Sequence, residues 1–329
     1  MRPRTLRTAL ATLTAGLAAA GCLTAAAPAA AHERPPGNHC SPAVSLTGFS
    51  DALDETTYDG TYVGNLSALA RDRRGSVAAL SDRSHLFRLD ARTLTPRGVI
   101  PLADENGTAL DSEGLVVDRD GTYLVSSETE PSVRRYSRTG EILGRLPVPD
   151  ALRTAPAGRA RANGSFEGLT LLAGGRTLIA SMEYPLAGDP ADVVRFQTWR
   201  RAGHGDFRPG AQYTYRTDTG LGVSEVTAAP DGRLPVLERG FTSGVGNTVR
   251  LYLADRRGAT LGKTLLADLA ACPSLGATAG QPQPNPLLDN FEGMAVTGRS
   301  KGRLEVLIVS DDNQNAVQTT RFLRLRVSV

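Results

Sequence analysis

Acidic residues recur along this chain at a spacing that suits paired chemistry. Glu113 and Glu128 stand about equally far from an Asp120-Gly121 turn, and Glu167 and Glu183 flank Gly174-Gly175. Glu225 and Glu238 flank Asp231-Gly232, and Glu292 and Asp311 flank Lys301-Gly302, with Asp312 next in line. A further copy opens on Ser67 and closes on Asp82, around Arg74-Gly75. Carboxylates at close range raise one another's pKa and repel, unless arginine pairs with them, a hard cation binds them or they do acid-base work. An all-oxygen set suits Ca²⁺, which accepts roughly six to eight oxygens in flexible geometry. Asn290, Asn313 and Asn315 add amide oxygens beside Glu292 and Asp311. The candidate metal ligands are therefore Asp82, Glu113, Glu167, Glu292, Asp311 and Asp312. Glu113, Glu167, Glu292 and Asp311 are the candidates for catalysis, and Arg239, Glu128, Glu183, Glu225 and Glu238 for ligand contact. For any single acid the competing reading is structural, as a turn cap or a partner of Arg83, Arg134, Arg135 or Arg239.

Other chemistries find little footing. There is no G-x-S-x-G elbow, and the four histidines are scattered at positions 32, 39, 85 and 204. His85 follows Asp82 closely enough to suggest a base with its orienter, but an exposed loop histidine is the plainer account. No His/Cys spacing suits zinc. No glycine-rich loop precedes a helix for nucleotide phosphates.

The elements that must position the acids are hairpins. NLSALARDRRGSVAALSD, SEGLVVDRDGTYLVSSE, FEGLTLLAGGRTLIASME, SEVTAAPDGRLPVLE and FEGMAVTGRSKGRLEVLIVSDD are each an apolar strand, a glycine-containing turn and a second apolar strand ending in an acid. Residues equidistant from an antiparallel turn lie opposite each other, so both acids of a copy belong at the end away from the turn. Two more strands follow most copies, such as HLFRLD with RGVIPL and TVRLYLA with KTLLADL. A repeat of about four strands is the blade of a β-propeller, whose inner strands line a central channel. The expected fold is all-β: one propeller of five four-stranded blades, with room for a degenerate sixth. The last unit lacks a fourth strand, and VSLTGF near the N-terminus can supply it, closing the ring and removing exposed edges. LLADLAAC is the one segment with helical period, against a strand-plus-turn reading.

The first 31 residues stand apart. Arg2, Arg4 and Arg7, an apolar stretch over residues 9–23 and Ala29-Ala30-Ala31 are ordered as in a secretory signal peptide, leaving 32–329 as the mature domain. A lipidation reading at Cys22, in Ala19-Ala20-Gly21-Cys22, stays open as the lesser alternative to release. Three of the 37 basic residues lie in that leader, leaving 34 of each sign, so no nucleic-acid-binding surface is indicated. No transmembrane segment is expected after leader removal, and a secreted monomer is. Cys40 and Cys272 remain, and in an oxidising compartment one disulfide is preferred over two free thiols.

These residues resemble the phytase-like family, described as having esterase-like activity of phytase. The resemblance runs from NLSALARDRRGSVAALSDR to the C-terminus and is most specific in DNFEGMAV and SDDNQNAVQTTRFLRLRV. It implies a secreted propeller acting on phosphoesters or simple esters with Ca²⁺, its substrate a small molecule. Calcium-dependent propeller phytases use lysines and arginines around phosphate, whereas Lys263 and Lys301 are the only lysines here, so phytate itself is not implied. A non-catalytic ligand-binding propeller of the cell envelope is the alternative.

Overall fold

The structure, a computed structural model, describes residues 37–73, 75–203 and 205–329. The expected leader and Cys22 lie outside these residues. Five four-stranded blades follow one another. The first is Leu66–Arg71, Ser76–Ser81, His85–Asp90 and Pro96–Pro101; the second is Ser112–Val117, Tyr123–Ser127, Ser132–Tyr136 and Ile142–Arg145. The third is Phe166–Leu171, Thr177–Met182, Val193–Arg200 and Arg208–Arg216. The fourth is Gly222–Val226, Leu234–Thr242, Gly246–Arg257 and Thr260–Asp268. The fifth takes Phe291–Ser300, Arg303–Ser310 and Phe322–Val327 from the C-terminus, and its outermost strand is Val44–Ser50. The ring therefore closes with the N-terminal strand, as the missing strand required. The first strands of the blades contact one another in turn, and the fifth contacts the first, so five blades complete the circle.

Local chemistry explains the hairpins. Asp-Gly turns need a left-handed glycine, and Gly121 and Gly232 have φ of +91° and +89°. Their N–H groups donate to Asp118 O at 2.9 Å and to Ala229 O at 3.0 Å, so the two turns are built alike. The segment with helical period resolves as the end of a strand followed by a three-residue 3₁₀ turn, Leu269–Ala271.

Blade faces bury apolar side chains against their neighbours. A separate hydrophobic cluster fills each of the five blade-to-blade seams, for example Leu237, Leu251, Phe291 and Ile308 between the fourth and fifth. Trp199 is fully buried between the second and third blades, with its edge on Phe166 and its Nε1 donating to Pro147 O at 2.7 Å. The third and fourth blades also join through their outer strands, which pair in parallel at Thr214–Thr260 and Tyr215–Leu261. Cys40 and Cys272 form a disulfide, tying the segment before the closing strand to the loop after the fourth blade. No helix among the described residues is long and apolar enough to cross a membrane.

Candidate functional site

In every blade the first strand breaks register with the second near its start. The breaks fall between Leu66 and Ala68, Ser112 and Leu115, Phe166 and Leu169, Val223 and Glu225, and Phe291 and Gly293. A bulge of this kind re-aims a side chain. The re-aimed residues are Ser67, Glu113, Glu167, Ser224 and Glu292. On the second strands, the residues just beyond the last pair before each break are Asp82, Glu128, Glu183, Arg239 and Asp311.

Glycine follows the re-aimed acid for a steric reason. A Cβ on Gly114 would sit 2.4 Å from Glu167 O, and one on Gly168 would sit 2.4 Å from Val226 N. The inner strands crowd at the axis, and the E-G-L and E-G-M motifs record that crowding. The fourth blade places Glu225 where its neighbours have this glycine. Its carboxylate turns into the crowded axis and accepts from Leu169 N at 3.2 Å and Val226 N at 2.9 Å.

The rim residues enclose a cavity of about 530 Å³, lined by Asp82, Asp111, Glu113, Glu128, Glu167, Glu183, Glu292 and Asp311 with Arg83, Arg161 and Arg239. Ser67, Asn163, Tyr184, Asn290 and Asn313 complete it. Most of the acids expected from sequence thus meet here, and three do not. Glu225 is the axial plug just described. Glu238 faces the seam between the third and fourth blades, taking hydrogen bonds from Tyr215 Oη at 2.6 Å and Lys263 Nζ at 2.5 Å. Asp312 accepts from Tyr62 Oη at 2.5 Å, Asn65 N at 2.9 Å and Thr320 Oγ1 at 2.8 Å, which ties the fifth blade to the first. In the fourth blade the acids stand one residue away from the positions their counterparts take: Glu225 follows the bulged Ser224, and Glu238 precedes Arg239, which lines the cavity. His85 borders a separate recess with Tyr62 and Arg83. Asp111, Arg161, Asn163 and Tyr184 were missed. Tyr184 directly follows Glu183 and Asp111 stands two residues before Glu113, and that proximity is their one signal in the sequence.

Two carboxylate triads stand within the cavity. Oxygens of Asp111, Glu113 and Glu128 lie within 4.8 Å of one another, and so do those of Glu128, Glu167 and Glu183. Burial, reinforced by neighbouring carboxylates, pushes Glu113, Glu167 and Asp311 well above the ordinary carboxyl range. Burial also lifts Glu128 to about 8, although Ser165 N donates to its Oε1 at 3.1 Å. Glu183 rises to about 7 through burial, opposed by Arg239, and Asp82 to about 6 through burial, opposed by Arg83. Arg239 donates to Glu292 Oε1 at 3.0 Å, stands 3.7 Å from Glu183, and leaves its buried Nε without a hydrogen bond. Asn290 Nδ2 donates to Glu292 Oε1 at 2.9 Å, and Asn313 N to Asp311 Oδ1 at 2.7 Å.

Residues 61–314 match the phytase-like family, described as esterase-like activity of phytase. The chain belongs to this family. A curated relative, an uncharacterized secreted protein of Arthroderma benhamiae, is 31% identical over 119 residues, 28% of this chain and 23% of its own length. The phytase-like chain thus spans about a quarter of that relative. Among solved structures it is similar to the PQQ-bound aldose sugar dehydrogenase of Streptomyces coelicolor, with a TM-score of 0.46 and 15% identity over 89% of this chain and 100% of the other. Myxococcus xanthus glutaminyl cyclase gives a TM-score of 0.49 and 12% identity, over 87% of this chain and 97% of the other.

The donors fit a hard cation. They are all oxygen, as Ca²⁺ requires, and they include carboxylates whose own neighbours disfavour full ionisation. Ser67 Oγ, in a residue 2% exposed on the cavity wall, makes no hydrogen bond of proper geometry although Glu292 is beside it.

Proposed function

We propose that this protein is an extracytoplasmic, Ca²⁺-dependent hydrolase of phosphoesters or simple esters, acting in the axial cavity. The observation that carries the reading is the pair of carboxylate triads sharing Glu128, with Arg239 on the adjoining wall. Asp111, Glu113, Glu128, Glu167 and Glu183 would hold the ion. Bound calcium would supply charge neutralisation and polarisation of the ester oxygen.

The remaining wall has its own work. Arg239 stays cationic between Glu292 and Glu183, since these acids oppose the lowering effect of its burial. Its guanidinium lines the cavity and can take an anionic or carbonyl oxygen of the substrate, a charge-assisted contact stronger than a neutral one. Glu292, held by Arg239 and Asn290, keeps that guanidinium in place. Asp311 is buried beside Glu292, and burial with that neighbouring carboxylate raises its pKa well above the ordinary range, a shift that suits a group placed to protonate a leaving oxygen. The fold alone hosts many functions, so the assignment rests on these side chains. The disulfide and the secreted relative support placement outside the cytoplasm. Turnover of a panel of phosphate and carboxylate esters, with calcium and with chelator, tests the reading. Cleavage that stops on chelation supports it, and cleavage indifferent to the metal would overturn the role given to the triads.

A further inference from the structure

Residues 32–329 carry equal numbers of acidic and basic side chains, but the two signs gather at opposite ends of the channel. The carboxylates line the cavity where the inner strands begin. The turns where those strands end carry cations instead. Arg71, Arg73, Arg119, Arg176, Arg299 and Lys301 are all exposed on or beside these turns, and none of them has an ion pair among the described residues. The acids of the same turns are already taken: Asp72 by Arg138 at 2.8 Å, Asp118 by Arg201 at 2.5 Å, Asp120 by Arg135 at 3.0 Å and Asp231 by Arg233 at 2.6 Å. Glu305, opposite Gly298 in the last hairpin, is the one carboxylate near these turns outside an ion pair among the described residues.

Two of the arginines are held in place across blade seams. Arg73 lies on the turn of the second blade: its Nη2 donates to Arg119 O at 3.0 Å, and a Cβ on Gly121 would stand 2.8 Å from its Cζ. Arg119 repeats the arrangement one blade on, where a Cβ on Gly175 would stand 2.5 Å from its Nε. The glycine beneath each guanidinium keeps its place open. Arg71 stands at the lower mouth of the channel, a recess of about 150 Å³ walled by the inner strands. Donors fixed in this way before a ligand arrives lower the cost of ordering them on binding.

We propose that this end of the propeller docks a phosphate polymer, a linear polyanion without bases, whose successive phosphates pair with the exposed guanidinium and ammonium groups. The guanidinium fork matches phosphate oxygens bidentately. None of the exposed large apolar side chains belongs to these turns, so they lack the Trp, Phe or Leu that interfacial binders bury in a lipid surface. No exposed aromatic stands among the turn residues to stack a base. The acidic cavity repels the same polymer, so charge alone orients the molecule on it. This docking goes beyond the hydrolase reading and stands without it, since a polymer held at one end leaves the cavity open at the other.

Titration of the full chain with long-chain inorganic polyphosphate, in chelator so that calcium does not bridge polymer and carboxylates, tests the proposal. Affinity should fall about tenfold or more between about 50 and 200 mM salt, as counterion release requires. The triple variant Arg73→Gln, Arg119→Gln, Lys301→Gln should bind at least about tenfold more weakly, with a salt slope shallower by about 2. Arg145→Gln, Arg153→Gln, Arg216→Gln removes the same charge from exposed arginines away from these turns and should bind as the wild type does. No binding by the wild type, or an equal loss in both variants, would overturn the docking surface. Tighter binding to duplex DNA or to phosphatidylglycerol vesicles than to polyphosphate would overturn the assignment of a base-free polymer.

Discussion

Glu128 belongs to both triads, so one substitution there should act on the whole centre. Glu128→Gln is expected to lose ester hydrolysis and the stabilisation that calcium gives, whereas Asp111→Asn, affecting one triad, should weaken the calcium response without abolishing it. Arg239→Gln should lower kcat/KM by about a hundredfold or more, as removal of a charge-stabilising donor does. The titration of the acids gives a further expectation. Asp82, Glu183 and Glu128 are lifted to about 6, 7 and 8, mainly by burial, whereas unfolded carboxyls titrate near about 4. Between these limits the folded protein binds more protons than the unfolded one, so the stability of the metal-free protein should fall as pH rises from 5 to 8. Calcium competes with those protons for the same oxygens, so its effect on Tm should be larger at pH 8 than at pH 5. At this scale the sequence told which residue types gather, but in the fourth blade the acids stand one residue off the rim positions. Nothing in the spacing around Asp231-Gly232 separates Glu238 from Arg239, because the two are neighbours within the same strand.

The blade is legible because its turns and alternation are local. Glycine turns and apolar strands give the hairpins directly, and the E-G-L and E-G-M motifs mark where three of the five inner strands meet the axis. What the motifs did not disclose is why glycine is there, since the contact is with the neighbouring blade. Gly168→Ala would drive a Cβ to 2.4 Å from Val226 N, a backbone atom. Overpacking of this kind costs about 1–3 kcal/mol. Denaturant unfolding of Gly168→Ala should therefore show a lower midpoint, while an added Cβ at Gly48, which meets nothing within 4 Å, should be tolerated.

Closure of the ring is the property of the whole molecule, and it too was readable, as a last blade one strand short. Val44–Ser50 pairs with Phe322–Val327 and covers an edge that would otherwise pair with another chain. The disulfide between Cys40 and Cys272 closes a loop across 232 residues of sequence. Loss of such a link costs about 2–5 kcal/mol, so Cys40→Ser with Cys272→Ser should lower Tm while leaving the rim acids in place. The pairing of two distant cysteines followed from compartment and count. The parallel join of the third and fourth blades gave no sequence signal, because it involves two residue pairs at the outer edge.

The central claim is that the axial carboxylates form a calcium centre. Thermal unfolding across a calcium titration, run side by side on the wild type and Glu128→Gln at pH 8, tests it most directly. The account predicts a saturable rise in Tm for the wild type that is absent from Glu128→Gln. No rise in the wild type, or the same rise in both proteins, would contradict it.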